Sequence, residues 1–277
     1  MVRVKMAILK TEAVVLRMQE YGESSKILTL YTRDYGRLKV LAKGARRLKS
    51  RFGGVLDLIN YVTIVFYQKE TRDLQLLSQA DLVRPFLHLR EDLHRLALAS
   101  ALVELIDRTE SGQMPNPRLF KLLVGCLIGI DESGNAEVYF DYFTLHFLGF
   151  AGFRPRLRRC LHCGQKPKGY VVNFQFRRGG YFCENCSSNN QEGGLQVSVA
   201  TIHSLLALRD ANFTTVGQFS FSQTIQREIE ALFLYFLRYH VEGFRNSTSL
   251  EFLQRLDKNN LTQWLQSTQT CKEEISV

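Results

Sequence analysis

Four cysteines fall into two equal spacings, Cys160-Leu161-His162-Cys163 and Cys183-Glu184-Asn185-Cys186, with 19 residues between the pairs. This is the spacing of a four-thiolate zinc site. Two residues between cysteines let one tight turn aim both sulfurs at a single ion, and a second turn closes the tetrahedron. Such a set leaves no open coordination position, so the expected role of the metal, one zinc ion, is structural. A redox CxxC is the main rival, but one pair would suffice for it. An iron–sulfur cluster suits paired turns around a ribbon less well. His162 lies inside the first pair and could replace a cysteine as ligand. The H-x-E upstream of P-C-x-x-C that marks zinc deaminases is missing.

The ligands need elements to hold them. Between the pairs, Tyr170, Val172, Phe174 and Phe176 alternate with other residues and Gly179-Gly180 turns the chain, which reads as a short hairpin. Upstream, residues 8–80 read as a small β-domain. Strand candidates are Thr11–Arg17, Lys26–Thr32, the alternating run through Leu38, Val40 and Ala42, the run through Val62, Ile64 and Phe66, and Leu74–Ala80. Five short strands with a longer connection between the third and fourth suggest the Greek-key barrel of the OB-fold, although another small barrel would give the same pattern.

Helical patterns follow. Arg84–Thr109 reads as one long helix, or two broken near Pro85–Leu89. Asn116-Pro117 supplies an N-cap and first helical residue. Asn135 opens another helix that ends at Gly149. Ser198–Arg209 and Gln223–Glu242 complete the set, the last with clear amphipathic spacing. Beyond Asp257 the chain is polar. Leu261, Trp264 and Leu265 could form one turn, and residues 266–277 read as a frayed tail.

Composition narrows the function. At 277 residues and 45% apolar content the chain can build one to three cored domains. No run of 18 apolar residues predicts a membrane span, and the N-terminus lacks a signal-peptide core. Cys126 and Cys271 stand alone, a usage that suits a reducing, cytoplasmic compartment. There is no P-loop, no H-E-x-x-H and no G-x-S-x-G. The six histidines show no ligand spacing with carboxylates. No catalytic residues are expected, and the chain is read as a non-enzyme.

Charge is concentrated. Arg37, Lys39, Lys43, Arg46, Arg47, Lys49 and Arg51 form one acid-free segment. Arg154, Arg156, Arg158, Arg159, Lys166, Lys168, Arg177 and Arg178 form the other. These hold 15 of the 36 basic residues, and the remaining 21 are outnumbered by the 27 acidic ones. The whole positive excess therefore lies in two segments, and a polyanion, nucleic acid first, is the economical partner. Neither segment shows the amphipathic helix that an interfacial membrane contact wants. The first segment is expected to bind DNA, and Arg154, Arg156, Arg158, Arg159, Arg177 and Arg178 to form a secondary site. Tyr31, Tyr35, Phe52 and Tyr67 lie near the first segment in sequence, and some of them could stack on bases.

Lys10-Thr11-Glu12-Ala13-Val14-Val15-Leu16-Arg17, Tyr21-Gly22-Glu23-Ser24-Ser25-Lys26, Ala42-Lys43-Gly44-Ala45-Arg46-Arg47 and Lys49-Ser50-Arg51-Phe52-Gly53-Gly54 resemble signature stretches of the bacterial RecO family of recombination mediators. Arg90-Glu91-Asp92-Leu93 and the cysteine quartet fit as well. The resemblance covers roughly residues 8–256, and some family members lack the four cysteines. It implies an α+β multidomain chain with an N-terminal OB-fold barrel, a helical domain and an inserted four-cysteine zinc ribbon. The corresponding divisions are 1–82, 83–157, 158–190, 191–256 and a tail at 257–277. It further implies binding of single- and double-stranded DNA and annealing of complementary strands without ATP. Work with RecR and with the C-terminal tail of single-strand DNA-binding protein, so that RecA loads onto coated strands, is implied too, in the nucleoid-associated cytoplasm. The alternative is a zinc-stapled adaptor that binds acidic partner tails, with DNA secondary.

Overall fold

The computed structural model describes residues 6–69, 71–110, 112, 114–187, 194–241, 244, 248–249 and 252–253. The expected tail after Asp257 lies outside these residues, as does Glu242, the last residue of the expected final helix. The chain divides into two compact units on either side of the Asp131/Glu132 junction.

The first unit opens with five strands, β1 (Met6–Tyr21), β2 (Ser25–Thr32), β3 (Gly36–Ala42), β4 (Tyr61–Lys69) and β5 (Leu74–Arg84). They close into a barrel in the order β1-β2-β3-β5-β4. All pairings are antiparallel except β3 with β5, which run parallel through Lys39–Leu74 and Leu41–Leu76. Alternation explains the interior: Val15, Leu28, Leu30, Leu38, Val40, Val62, Ile64, Phe66 and Leu77 fill it. β1 is longer than the sequence pattern indicates and kinks at a register shift between Val15 and Arg17. Ala13, Val14, Val15 and Leu16 are all buried, because a helix also covers the outer face of this strand.

The expected helix from Arg84 is corrected. Arg84 ends β5, and helix begins only at α1 (His88–Glu91), followed by α2 (Leu93–Thr109). Pro85 excludes helix at the residue before it, and Asp92 caps α2 by accepting from the backbone N–H of His94 and Arg95. α3 (Pro117–Glu132) starts as anticipated, with the Asn116 side chain accepting from Leu119 N at 3.1 Å. Its Phe120 ring packs 6.1 Å from the buried Tyr31 and 6.2 Å from Tyr61.

The second unit begins with α4 (Ala136–Phe150). A three-stranded sheet follows, with β6 (Val171–Gln175) between β7 (Gly180–Cys183) and β8 (Leu195–Ser198). The alternation marked β6, and the Gly179-Gly180 turn after it marked the return strand β7. β8 lies beyond the second cysteine pair, outside that hairpin pattern, and joins the sheet only by pairing with β6. A one-turn helix, α5 (Glu184–Ser187), then α6 (Val199–Asp210), a 3-10 turn over Phe213–Gln218 and α7 (Gln223–His240) complete the unit. Ser198 caps α6 rather than joining it. The sheet leans on α7, with Phe174 5.9 Å from Phe236 and Phe176 5.5 Å from Tyr235.

α4 carries a buried acid, Asp141. Burial first, then the nearby Glu230 and Glu137, raise its carboxyl well above the usual range, against one opposing bond from Gln226 at 3.0 Å. A raised acid pKa contributes stability fully present below the ordinary carboxylate value and lost as pH rises towards the raised one. Asp141→Asn is therefore expected to melt higher than the parent at pH 8 and to differ little near pH 4. Equal shifts at both pH values would refute this.

Candidate metal centre and nucleic-acid interface

The first cysteine turn is built by local bonds. Cys160 N–H donates to Gln165 O at 2.8 Å and Gly164 N–H to Cys160 O at 3.1 Å, with Gly164 at φ 70°. Leu161 N–H donates to Tyr181 O at 2.9 Å, which ties this turn to β7. Cys183 ends β7 and Cys186 sits on α5. Gly180 lets the two segments approach: a Cβ there would meet Leu161 Cδ2 at 2.8 Å and Arg156 O at 3.1 Å.

All four Sγ atoms lie within 4.8 Å of one another, and Cys163 and Cys183 are 3.7 Å apart. A tetrahedron with Zn–S of about 2.3 Å has edges of about 3.8 Å, so the quartet fits a zinc ion. His162 is exposed and outside the cluster. The electrostatics also ask for a cation. Burial would raise the Cys160 thiol, but N–H groups of Cys183, Cys163 and His162 outweigh it and bring it down to about 6. Cys186 is pushed up to about 12, first by its bond with Cys183, and Tyr181 to about 12 by burial and then by the cysteine charges around it. A divalent ion removes that mutual repulsion and lets four thiolates coexist. Cys126, by contrast, is fully buried in α3, and burial raises its thiol far out of reach.

The basic loop between β3 and β4 is anchored from below. Phe52 and Leu56 enter the barrel core, with Ala45 and Val55 packed beside them. Asn60 Nδ2 holds Gly54 O and Val55 O, each at 3.0 Å. Gly44 and Gly54 take positive φ at the two ends. The stacking expectation is thereby corrected for two rings: Phe52 and Tyr31 are core residues. Tyr35 and Tyr67 remain half-buried.

Above the anchor, the loop's cations divide into two kinds. Lys43, Arg47, Lys49 and Arg51 are exposed and make no ion pair with a described residue; Lys39 on β3 is exposed too. Arg51 lies 4.9 Å over the Phe52 ring. Arg46 instead pairs with Glu20 at 3.1 Å and donates to Gly22 O at 3.3 Å. Arg37 is turned inward, donating to Asp107 of α2 at 2.7 Å, where Arg17 also binds. Asp107 is almost fully buried, so removing either arginine leaves a poorly compensated charge. Arg37→Ala is expected to cost roughly 1–3 kcal/mol and to lower the melting temperature by several degrees, whereas Lys49→Ala leaves it unchanged. Equal melting of the two variants would show that Arg37 carries no structural load.

In the second unit, Arg154, Arg156, Arg158 and Arg159 are exposed while Pro155 and Leu157 between them are buried. Arg177 and Arg178 stand on the β6–β7 turn, with Arg178 5.4 Å from the Phe182 ring. Sequence reasoning missed Arg209 and Asp210 at the end of α6, which line the same cleft as the 154–159 arginines. They carry no motif and reach that cleft only through the fold. No helix among the described residues is long and apolar enough to cross a membrane.

Both halves of the chain match descriptions of one protein family. Residues 6–86 match "Recombination protein O N terminal" and residues 90–249 "Recombination protein O C terminal". A DNA repair protein RecO of Desulforamulus reducens is 32% identical over 256 residues, 92% of this chain and 98% of that one. A DNA repair protein RecO of Salinibacter ruber is 34% identical over 238 residues, 85% and 89% of the two chains. That of Bacillus pumilus is 32% identical over 222 residues, 80% and 85%. The barrel and the cysteine-bearing unit are thus those of a DNA repair protein. The chain belongs to the RecO family.

Proposed function

We propose that the chain is a recombination mediator that binds DNA through the β3–β4 loop and makes or breaks no covalent bond. The observation that carries this reading is the loop itself: Phe52 and Leu56 fix it in the barrel, and Lys43, Arg47, Lys49 and Arg51 face solvent. A positive surface held on a rigid small barrel is how OB-folds take up single strands without reading sequence. The strand order β1-β2-β3-β5-β4 with a parallel β3–β5 pair supports the OB-fold assignment.

The four cysteines hold one structural zinc ion in a ribbon over residues 158–190, between helical parts at 83–157 and 191–256 and after the barrel domain at 1–82. The fit of the sulfur cluster supports this. Arg154, Arg156, Arg158, Arg159, Arg177 and Arg178 form a second DNA contact. Two strands bound to one chain meet at a raised effective concentration, and guanidinium charge screens their repulsion. The family resemblance implies that single- and double-stranded DNA are both ligands and that complementary strands anneal without ATP.

The family resemblance extends the reading to action with RecR and the tail of single-strand DNA-binding protein, so that RecA loads onto coated strands. It also extends to a nucleoid-associated, cytoplasmic location. The test is annealing of two labelled complementary oligonucleotides, without nucleotide, over a salt series. The expected result is acceleration that fades as salt rises. No acceleration at low salt, by protein that binds both strands, would overturn the annealing role.

A further inference from the structure

The cleft beside the first cysteine turn is more than a collection of surface arginines. It encloses ≈ 710 Å³ and is lined by Arg154, Arg156, Arg158, Arg159, Arg209 and Asp210, over a floor that includes Pro155, Leu157 and Leu161. Arg156 bridges to Gly180, and exposure alternates from Arg154 to Arg158, where the chain bends. Arg154, Arg156 and Arg158 therefore face the same side two residues apart, about 6.6 Å where a strand rise of ~3.3 Å per residue holds. That ladder is close to the step between successive phosphates of one nucleic-acid strand. The surroundings register the positive field. His146 of α4 is held below the usual histidine pKa by burial first and then by Arg154 and Arg209.

One acid stands among these guanidinium groups. Asp210 accepts from Arg158 Nη2 at 2.8 Å and from Arg209 Nε at 3.0 Å. Arg158 and Asp210 are 70% and 51% exposed, so a ligand in the cleft can reach both. A carboxylate between two guanidinium forks is arranged as a phosphate would be.

We propose that this cleft is a single-strand phosphodiester site and that Asp210 is its built-in competitor. The carboxylate occupies Arg158 and Arg209 until an incoming phosphate displaces it. The site rests on the DNA-binding reading above but does not depend on the barrel loop. The row of arginines at about phosphate spacing favours a phosphodiester strand over an acidic peptide. The competitor makes the site weak and easily vacated, as strand exchange between bound partners requires.

The test uses the full chain in two backgrounds, the parent and a variant with Lys43, Arg47, Lys49 and Arg51 all changed to Gln. Binding of labelled oligo-dT is titrated over a salt series, with and without Asp210→Asn. In the loop-neutralised background, Asp210→Asn is expected to tighten binding about five-fold at 0.1 M salt. It should steepen the log–log salt slope by ~0.7, the weight of one more single-strand phosphate contact. Arg156→Gln with Arg158→Gln should abolish the remaining binding.

Unchanged or weaker binding in Asp210→Asn would overturn the proposal. So would tighter binding of an Asp-rich peptide with no gain for oligo-dT, which would assign the cleft to an acidic partner. If the loop-neutralised protein melts normally but binds no oligo-dT, the cleft proposal fails and the barrel reading stands. If the loop substitutions leave parental binding intact, the barrel reading fails instead. A melting curve for each variant confirms the fold, which half-exposed Asp210 leaves unchallenged.

Discussion

Replacing Cys160 or Cys183 by serine, or stripping metal with a chelator, is expected to release one zinc ion per chain and loosen the second unit while the barrel keeps its own melting transition. The sulfur cluster joins a turn at 160–164 to the end of β7 and to α5. Without the ion, the first cysteine turn is tied to β7 mainly by Leu161 N–H on Tyr181 O and Cys183 N–H on Cys160 Sγ. Structural zinc contributes ~10–16 kcal/mol of apparent binding free energy in small peptides that have no other core. The loss here should be smaller, because Phe174, Tyr181 and Phe182 are buried in the sheet and Phe174 packs on α7. The measurements are metal content, limited proteolysis across residues 158–187 and melting, each with and without chelator. New cleavage confined to the cysteine turns, with oligo-dT binding by the barrel loop retained, is the expected pattern. A metal-free protein with unchanged proteolysis and melting would show that the thiolates hold nothing structural. Loss of all DNA binding with the fold intact would move the metal into the recognition surface.

The second large effect concerns the barrel loop. Changing Lys43, Arg47, Lys49 and Arg51 together to Gln should weaken single-strand binding roughly 10²–10³-fold at 0.1 M salt and flatten the salt slope by about 3, at ~0.7 per contact. The melting temperature should hold, because these side chains are exposed and the loop is fixed by Phe52, Leu56 and Asn60. Arg46 is left out deliberately: its bonds to Glu20 and Gly22 shape the loop, so its removal would mix stability with binding. Unchanged affinity in a folded quadruple variant would take the DNA site away from this loop.

The structure also explains why some of this was readable in advance. Period-two burial marked the barrel strands, since each alternate residue of a closed sheet faces one interior. Asn116-Pro117 marked the start of α3 because capping is local chemistry. Two C-x2-C turns marked the four-cysteine cluster for the same reason. What failed was non-local. Tyr31 and Phe52 look like stacking platforms beside basic residues, yet one lies under α3 and the other inside the barrel. Arg37 shares a strand face with Lys39 but is bonded to Asp107, 70 residues away.

By itself, then, the sequence determined the kinds of chemistry available: a tetrahedral thiolate set, two acid-free cationic segments, and five strands able to close. Only the tertiary structure decided which cations are free to meet a phosphate. Charge along a chain counts every arginine alike, whereas ion pairing depends on which carboxylate the fold delivers. It delivered Asp107 to Arg37 from α2 and Asp210 to Arg158 from α6. It delivered none among the described residues to Lys43, Arg47, Lys49 and Arg51.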